Sequence, residues 1–92
     1  MSPELTGAQK SHLRGLAQTL EAKVFVGKEG VTPAIAKLLE DAFRRADLVK
    51  VRFTGDREAI AAQAADLADR TSSALVGSVG KTAAFYRKGT GA

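Results

Sequence analysis

Lys23-Val24-Phe25-Val26-Gly27-Lys28-Glu29-Gly30-Val31-Thr32-Pro33 is the stretch whose reading decides the fold. Val24 to Val26 are β-branched or aromatic and predict a short strand. Thr32 followed by Pro33 predicts a helix start, with the threonine as cap and the proline in the first helical position. Between them, Gly27 and Gly30 lack Cβ atoms, so the backbone there turns tightly and another molecule can come close. Lys28 sits between the glycines, and the following helix presents free backbone N–H groups and the positive end of its dipole. Such a strand-to-helix corner suits a phosphate, and in a basic chain nucleic acid is the obvious source of phosphates. The GxxG pattern by itself is also common in ordinary β–α corners.

Working outward, the same alternation of periods continues. Thr6 and Gln9 form a capping box for a first helix to about Leu20, with Leu13, Leu16, Ala17 and Leu20 as its buried stripe. The second helix, capped by Thr32, carries an apolar face of Ile35, Leu38, Leu39, Ala42 and Phe43. A second strand covers Leu48 to Phe53, where Val49, Val51 and Phe53 alternate with Lys50 and Arg52. Thr54-Gly55-Asp56 is a turn, and Asp56 or Thr54 caps a third helix to about Arg70 with the stripe Ile60, Ala64, Leu67 and Ala68. Ala74 to Val79 and Thr82 to Arg87 read as a terminal hairpin turned by Gly80-Lys81. The three apolar stripes are expected to bury against one another and the sheet.

The predicted order is therefore α-β-α-β-α-β-β, an α/β (α+β) single domain over residues 1–92 with a four-stranded mixed sheet. Its core spans about 5–88, and residues 89–92 form a flexible tail. The two β-α-β crossovers predict parallel pairing, and the hairpin adds an antiparallel pair.

Composition removes several functions. With no cysteine, thiolate zinc sites, disulfides and thiol catalysis are excluded. No apolar run reaches membrane-spanning length, and Met1-Ser2-Pro3-Glu4 opens no secretory signal, so a cytoplasmic protein without a membrane partner is expected. His12, the single histidine, lies off the leucine stripe and reads as a surface side chain rather than a metal ligand or catalytic base. Glu40 with Arg44, and Lys37 with Asp41, read as solvated i,i+4 pairs. Gly77-Ser78-Val79-Gly80-Lys81-Thr82 resembles the end of a phosphate-binding P-loop. It has leucine at position 75 where that motif needs glycine, and a strand where it needs a helix. No catalytic residues, cofactor or metal are expected, and the chain is not expected to be an enzyme.

The net charge of +4 is unevenly spread. Residues 53–74 hold two basic and four acidic groups, while residues 75–92 hold three basic groups and no acidic one. A polyanion should meet one side of the molecule and avoid the other. Lys10 and Arg14, one helical turn apart, border the buried face of the first helix. Lys81 and Arg87 bracket the last strand. Together with the loop these give the expected nucleic-acid-binding set: Gly27, Lys28, Glu29, Gly30, Lys10, Arg14, Lys81 and Arg87. Tyr86 either stacks on a base or closes the edge of a core, and Lys50 with Arg52 either touch a ligand or cover their face of the sheet.

Four segments together resemble a known family. Gln9-Lys10-Ser11-His12-Leu13-Arg14-Gly15-Leu16-Ala17, Val26-Gly27-Lys28-Glu29-Gly30-Val31-Thr32, Leu48-Val49-Lys50-Val51 and Val79-Gly80-Lys81-Thr82-Ala83-Ala84-Phe85-Tyr86-Arg87 look like the CRM domain, named for chloroplast RNA splicing and ribosome maturation. The resemblance runs from about Leu5 to Lys88 and is similar to the stand-alone bacterial YhbY proteins. It implies a fold like the C-terminal domain of translation initiation factor three with a helix added in front. It also implies RNA binding through the GxxG loop and nearby basic surface, and association with ribosomal RNA or precursors of the large ribosomal subunit. A monomer is expected. In plant members the same domain serves group II intron splicing. Glu29 departs from the neutral or basic residue expected at its position. Two other readings stay open: a KH-like single-stranded nucleic-acid binder, whose GxxG joins two helices, and a protein-interaction module without RNA affinity.

Overall fold

A computed structural model describes residues 6–87 in the order α1 (Gly7–Ala17), β1 (Ala22–Phe25), α2 (Pro33–Phe43), β2 (Leu48–Arg52), α3 (Arg57–Thr71), β3 (Ala74–Val79) and β4 (Thr82–Tyr86). The expected tail at 89–92, like the residues before Thr6, lies outside the described residues. The local signals act as read. The Thr6 amide donates to Gln9 Oε1 at 2.9 Å and the Gln9 amide to Thr6 Oγ1 at 3.1 Å, completing the capping box. Thr32 Oγ1 accepts from the Ile35 amide at 3.2 Å, with Pro33 opening α2. Asp56 Oδ1 accepts from the Ala59 amide at 2.8 Å.

The four strands form one sheet in the order β1-β2-β4-β3. β1 and β2 pair in parallel, as expected of the first crossover. The second crossover departs from expectation. β4 folds back between β2 and β3, antiparallel to both, so β2 and β3 run the same way without touching. The short Gly80-Lys81 connection leaves β4 free to lie on either side of β3, and the inner position gives it a full ladder on both edges.

One face of the sheet carries the main core. Val24, Val26, Val49, Val51, Phe53, Ala83 and Phe85 point to it and meet Leu39 and Phe43 of α2 and Ile60, Ala64, Leu67 and Ala68 of α3. Phe53 and Phe85 are adjacent, with ring centroids 6.4 Å apart. On the other face α1 packs alone, where Ala17, Val76 and Ala84 form a small cluster joined by Leu13, Leu48 and Tyr86. Phe85 and Tyr86 thus face opposite sides, and Tyr86 closes the edge of the smaller cluster.

Two expected core assignments are corrected. On α1, Ala17 is buried and Leu13 half-buried, but Leu16 and Leu20 are 47% and 38% exposed. The helix ends at Ala17, short of Leu20, and it has the sheet below it but no second helix beside it. On α2, Leu38 is 53% exposed. At about 100° per residue, Leu38 lies well to one side of the line through Leu39 and Phe43 that meets the sheet. The α3 stripe is buried throughout, as read. Glu40 is corrected too: it pairs with Arg87, 47 residues on, rather than with Arg44.

Candidate nucleic-acid interface

The corner after β1 is a tight turn. The Gly30 amide donates to the Gly27 carbonyl at 3.0 Å, and Lys28 and Glu29 at the tip are exposed. The two glycines have different jobs. Gly30 adopts φ +76°, the left-handed region that side-chain-bearing residues avoid. Gly27 has no such angle, and a Cβ there would meet nothing within 4 Å, so its smallness keeps the outside of the loop open. Behind the loop stands α3: the nearest atoms to a Cβ built on Gly30 belong to Gln63. The Gly30 amide is already bonded to Gly27 and the Ile35 amide to Thr32. Anion attraction at this corner therefore rests chiefly on the Lys28 ammonium and the helix dipole, with Glu29 working against it.

β1, β2 and β3 all run toward this end of the sheet, so the loop shares it with the Thr54-Gly55-Asp56 turn and the Gly80-Lys81 turn. Backbone bonds tie them together. The Val26 amide donates to the Arg52 carbonyl at 2.8 Å, and the Phe53 amide to the Lys81 carbonyl at 2.7 Å. The Thr54 hydroxyl reaches the Val26 carbonyl at 3.3 Å. Lys28 and Lys81, far apart in sequence, are thus brought to the same end, with two strand spacings, or about 10 Å, between the chains that carry them.

Arg14 lies on the α1 side. It extends over Gly77 of β3, where a Cβ would come within 2.6 Å of its Cγ and Cδ. The register of β3 shifts between Leu75 and Gly77, which lets Val76 and Gly77 both address α1. Arg14, Ala17 and Gln18 then wall a groove of about 200 Å³ whose floor is Lys50, Gly77, Val79, Thr82, Ala83 and Ala84. Lys50 Nζ reaches the Leu20 carbonyl at 3.4 Å. Lys10 is half-buried one turn before Arg14.

Arg87 is placed elsewhere. It leaves β4 at the opposite end of the sheet from the GxxG loop, where its amide donates to the Asp47 carbonyl at 2.9 Å. Its guanidinium donates to Glu40 Oε1 at 3.1 Å and to the Thr71 carbonyl, and lies 5.5 Å from the Phe43 ring centroid. These contacts join β4, α2 and the end of α3, and they use the side chain for packing rather than for an open surface.

α1 holds Lys10, Arg14 and no carboxylate, and Lys50 and Arg52 lie on the sheet face that it packs against. Lys23 and Lys50 also border a cleft together with Glu21 and Asp41. The opposite layer is mixed, with Glu40, Asp41, Glu58, Asp66 and Asp69 beside Lys37, Arg57 and Arg70 on α2 and α3. Phe25 was missed as a surface feature: it is 62% exposed. The signal was present in the alternation of Lys23-Val24-Phe25-Val26, since burying both valines turns Phe25 outward. Among the described residues, no group of three or more His, Cys, Asp or Glu gathers as a metal site, and His12 is exposed. Because the GxxG loop follows a strand, it differs from the helix–helix GxxG of the KH reading.

Similar proteins align with most of this chain. A Haemophilus influenzae protein named as an RNA-binding protein is 32% identical over 84 residues, covering 90% of this chain and 85% of its own. A Pseudomonas aeruginosa protein, PA4753, named as a probable RNA-binding protein, is 32% identical over 85 residues, covering 91% and 82%. The solution structure of SAV1595 from Staphylococcus aureus, described as a candidate RNA-binding protein, superposes with a TM-score of 0.86 at 30% identity, covering 94% of this chain and 91% of that one. Residues 5–87 match the CRS1/YhbY (CRM) domain, and the chain belongs to that family.

Proposed function

We propose that this protein binds RNA, and that its RNA is ribosomal, engaged during assembly of the large ribosomal subunit. The observation that carries RNA binding is the gathering of basic residues from distant parts of the chain: Lys28 and Lys81 share one end of the sheet, and Lys10, Arg14, Lys50 and Arg52 lie on its α1 side. The names of the relatives from Haemophilus influenzae and Pseudomonas aeruginosa support the same ligand class. The ribosomal assignment is supported by the CRM resemblance and is the finer part of the proposal. Lys28 contacts a phosphate, and Gly27 leaves the backbone open to it. Among the described residues each helix packs on the sheet, and none is set apart to enter a duplex DNA major groove, so RNA is preferred over duplex DNA.

The test is a titration of RNA affinity against salt for the parent, Lys28→Ala and Glu29→Lys. Affinity falls steeply with salt because bound counterions are released. Lys28→Ala lowers the slope by about one unit or slightly less, and Glu29→Lys strengthens binding. Equal affinity for duplex DNA at matched salt would count against the reading. Sedimentation of cell extracts then tests the ribosomal part: the protein should travel with large-subunit precursors and leave them at high salt.

A further inference from the structure

The α1 side of the sheet is only half covered. The α1 helix lies over the end that holds Leu48 and Tyr86, together with Val76 and Ala84. Toward the other end, beside the GxxG loop, no helix among the described residues covers the sheet, and Arg14, Ala17 and Gln18 only wall the groove over Val79 and Thr82. There the strand registers line up one residue from each strand on the same face. Phe25 pairs with Arg52, Arg52 with Thr82, and Thr82 with Val79. Phe25 is 62% and Val79 66% exposed, Arg52 is exposed, and Thr82 is half-buried. At strand spacings of about 5 Å the row spans roughly 15 Å.

We propose that this row is a stacking platform for unpaired bases of single-stranded RNA, with Phe25 as the stacking ring and Arg52 as its phosphate partner. The proposal rests on the RNA-binding reading above and names the part of the RNA that this face takes. Three observations select the occupant. A large exposed aromatic side chain on a sheet face offers a flat apolar surface, and every base has a complementary face. Arg52 within the row, and Arg14 and Lys50 in the groove that adjoins Val79 and Thr82, are positive, which suits a polyanion rather than an apolar partner surface. The row also begins two residues before Gly27, so a strand whose phosphate meets Lys28 has its neighbouring nucleotides directly over Phe25. The rim of Thr82 supplies a hydroxyl for hydrogen bonding, although that hydroxyl now donates to the Val79 carbonyl at 2.9 Å.

The experiment uses the full chain and two probes: a twelve-nucleotide single-stranded RNA carrying one 2-aminopurine, and a blunt RNA duplex of the same length. Phe25→Ala should weaken single-strand binding by about five- to one-hundred-fold while leaving duplex affinity and the salt slope as in the parent. Phe25→Trp should retain affinity, and 2-aminopurine quenching seen with the parent should vanish in Phe25→Ala. Because Phe25 is largely exposed, the alanine variant should melt with the parent, which a thermal scan checks. Unchanged single-strand affinity and quenching in Phe25→Ala, with salt-dependent RNA binding intact, overturns the platform and spares the RNA-binding reading. A parent that binds neither probe overturns both. Sedimentation showing that the parent self-associates and Phe25→Ala does not would assign the face to a second copy of the chain and likewise overturn the platform.

Discussion

Arg87 Nη1 lies 3.1 Å from Glu40 Oε1, joining the residue after the last strand to the middle of α2. The same guanidinium caps the carbonyl end of α3 at Thr71 and covers Phe43. A cation at a helix C-terminus is favoured by the dipole, and here it also ties three elements together. Arg87→Ala should therefore destabilise the fold by about 1–3 kcal/mol. RNA affinity per folded molecule should be unchanged. Chemical denaturation with a parallel RNA titration checks both; a normal midpoint with weakened binding would return Arg87 to the interface.

Leu38 and Leu39 are neighbours with opposite fates. Leu39 is fully buried and Leu38 is largely solvent-facing. Leu39→Ala should cost about 2–5 kcal/mol, whereas Leu38→Ala should stay within about 0.5 kcal/mol. Equal losses in denaturation would show that α2 is rotated relative to the sheet.

Arg14 and Gly77 are predicted to act as one unit. A methyl group on Gly77 must push Arg14 off the strand. Gly77→Ala and Arg14→Ala should each weaken RNA binding. The double variant should be no weaker than Arg14→Ala alone, because coupled neighbours do not add. Additive losses in the cycle would separate the two roles.

Ser72 ends α3 at φ 52°, and it is exposed. Glycine is the favoured residue at such a left-handed position. Ser72→Gly should raise stability by at most about 1–2 kcal/mol, the left-handed cost of a Cβ, less the conformational entropy that glycine loses, provided that the buried Thr71–Ser73 hydroxyl pair at 2.8 Å is left intact. A lowered melting temperature would contradict this.

Gln63 Oε1 is buried and accepts no hydrogen bond among the described residues. A group in this state carries a desolvation penalty of about 1–3 kcal/mol. Gln63→Met, similar in length but without the amide, should be neutral or stabilising in a thermal melt. If it lowers stability by more than about 1 kcal/mol, Gln63 is hydrogen-bonded in solution.

The local elements were legible because each rests on neighbours in sequence. Thr6, Thr32 and Asp56 announce their helices, and Val49, Val51 and Phe53 declare their face by strict alternation. What escaped depends on distant parts of the chain. Arg87 looks like a free cation until the fold brings Glu40 and Thr71 beside it. Leu38 looks apolar and periodic, and only the line along which α2 touches the sheet shows that it is off the contact. The position of β4 follows from a choice between two edges of β3 that a tight hairpin permits equally. At the proposed interface, the loop and Arg14 are candidates by residue type alone, whereas the row from Phe25 to Val79 emerges only from the strand registers.

The last of the four strands in chain order lies inside the sheet. Until β4 has been synthesised, β2 lacks one of its two partners and β3 has none. Phe85, fully buried in the main core, is also absent from any shorter chain. The first two-thirds of the polypeptide can form helices and the β1–β2 pair, but it cannot close a sheet. Closing the sheet therefore requires β4, through contacts distant in sequence, and such contacts slow folding relative to helical bundles of this size. Removing the residues of β4 would split the domain rather than trim it.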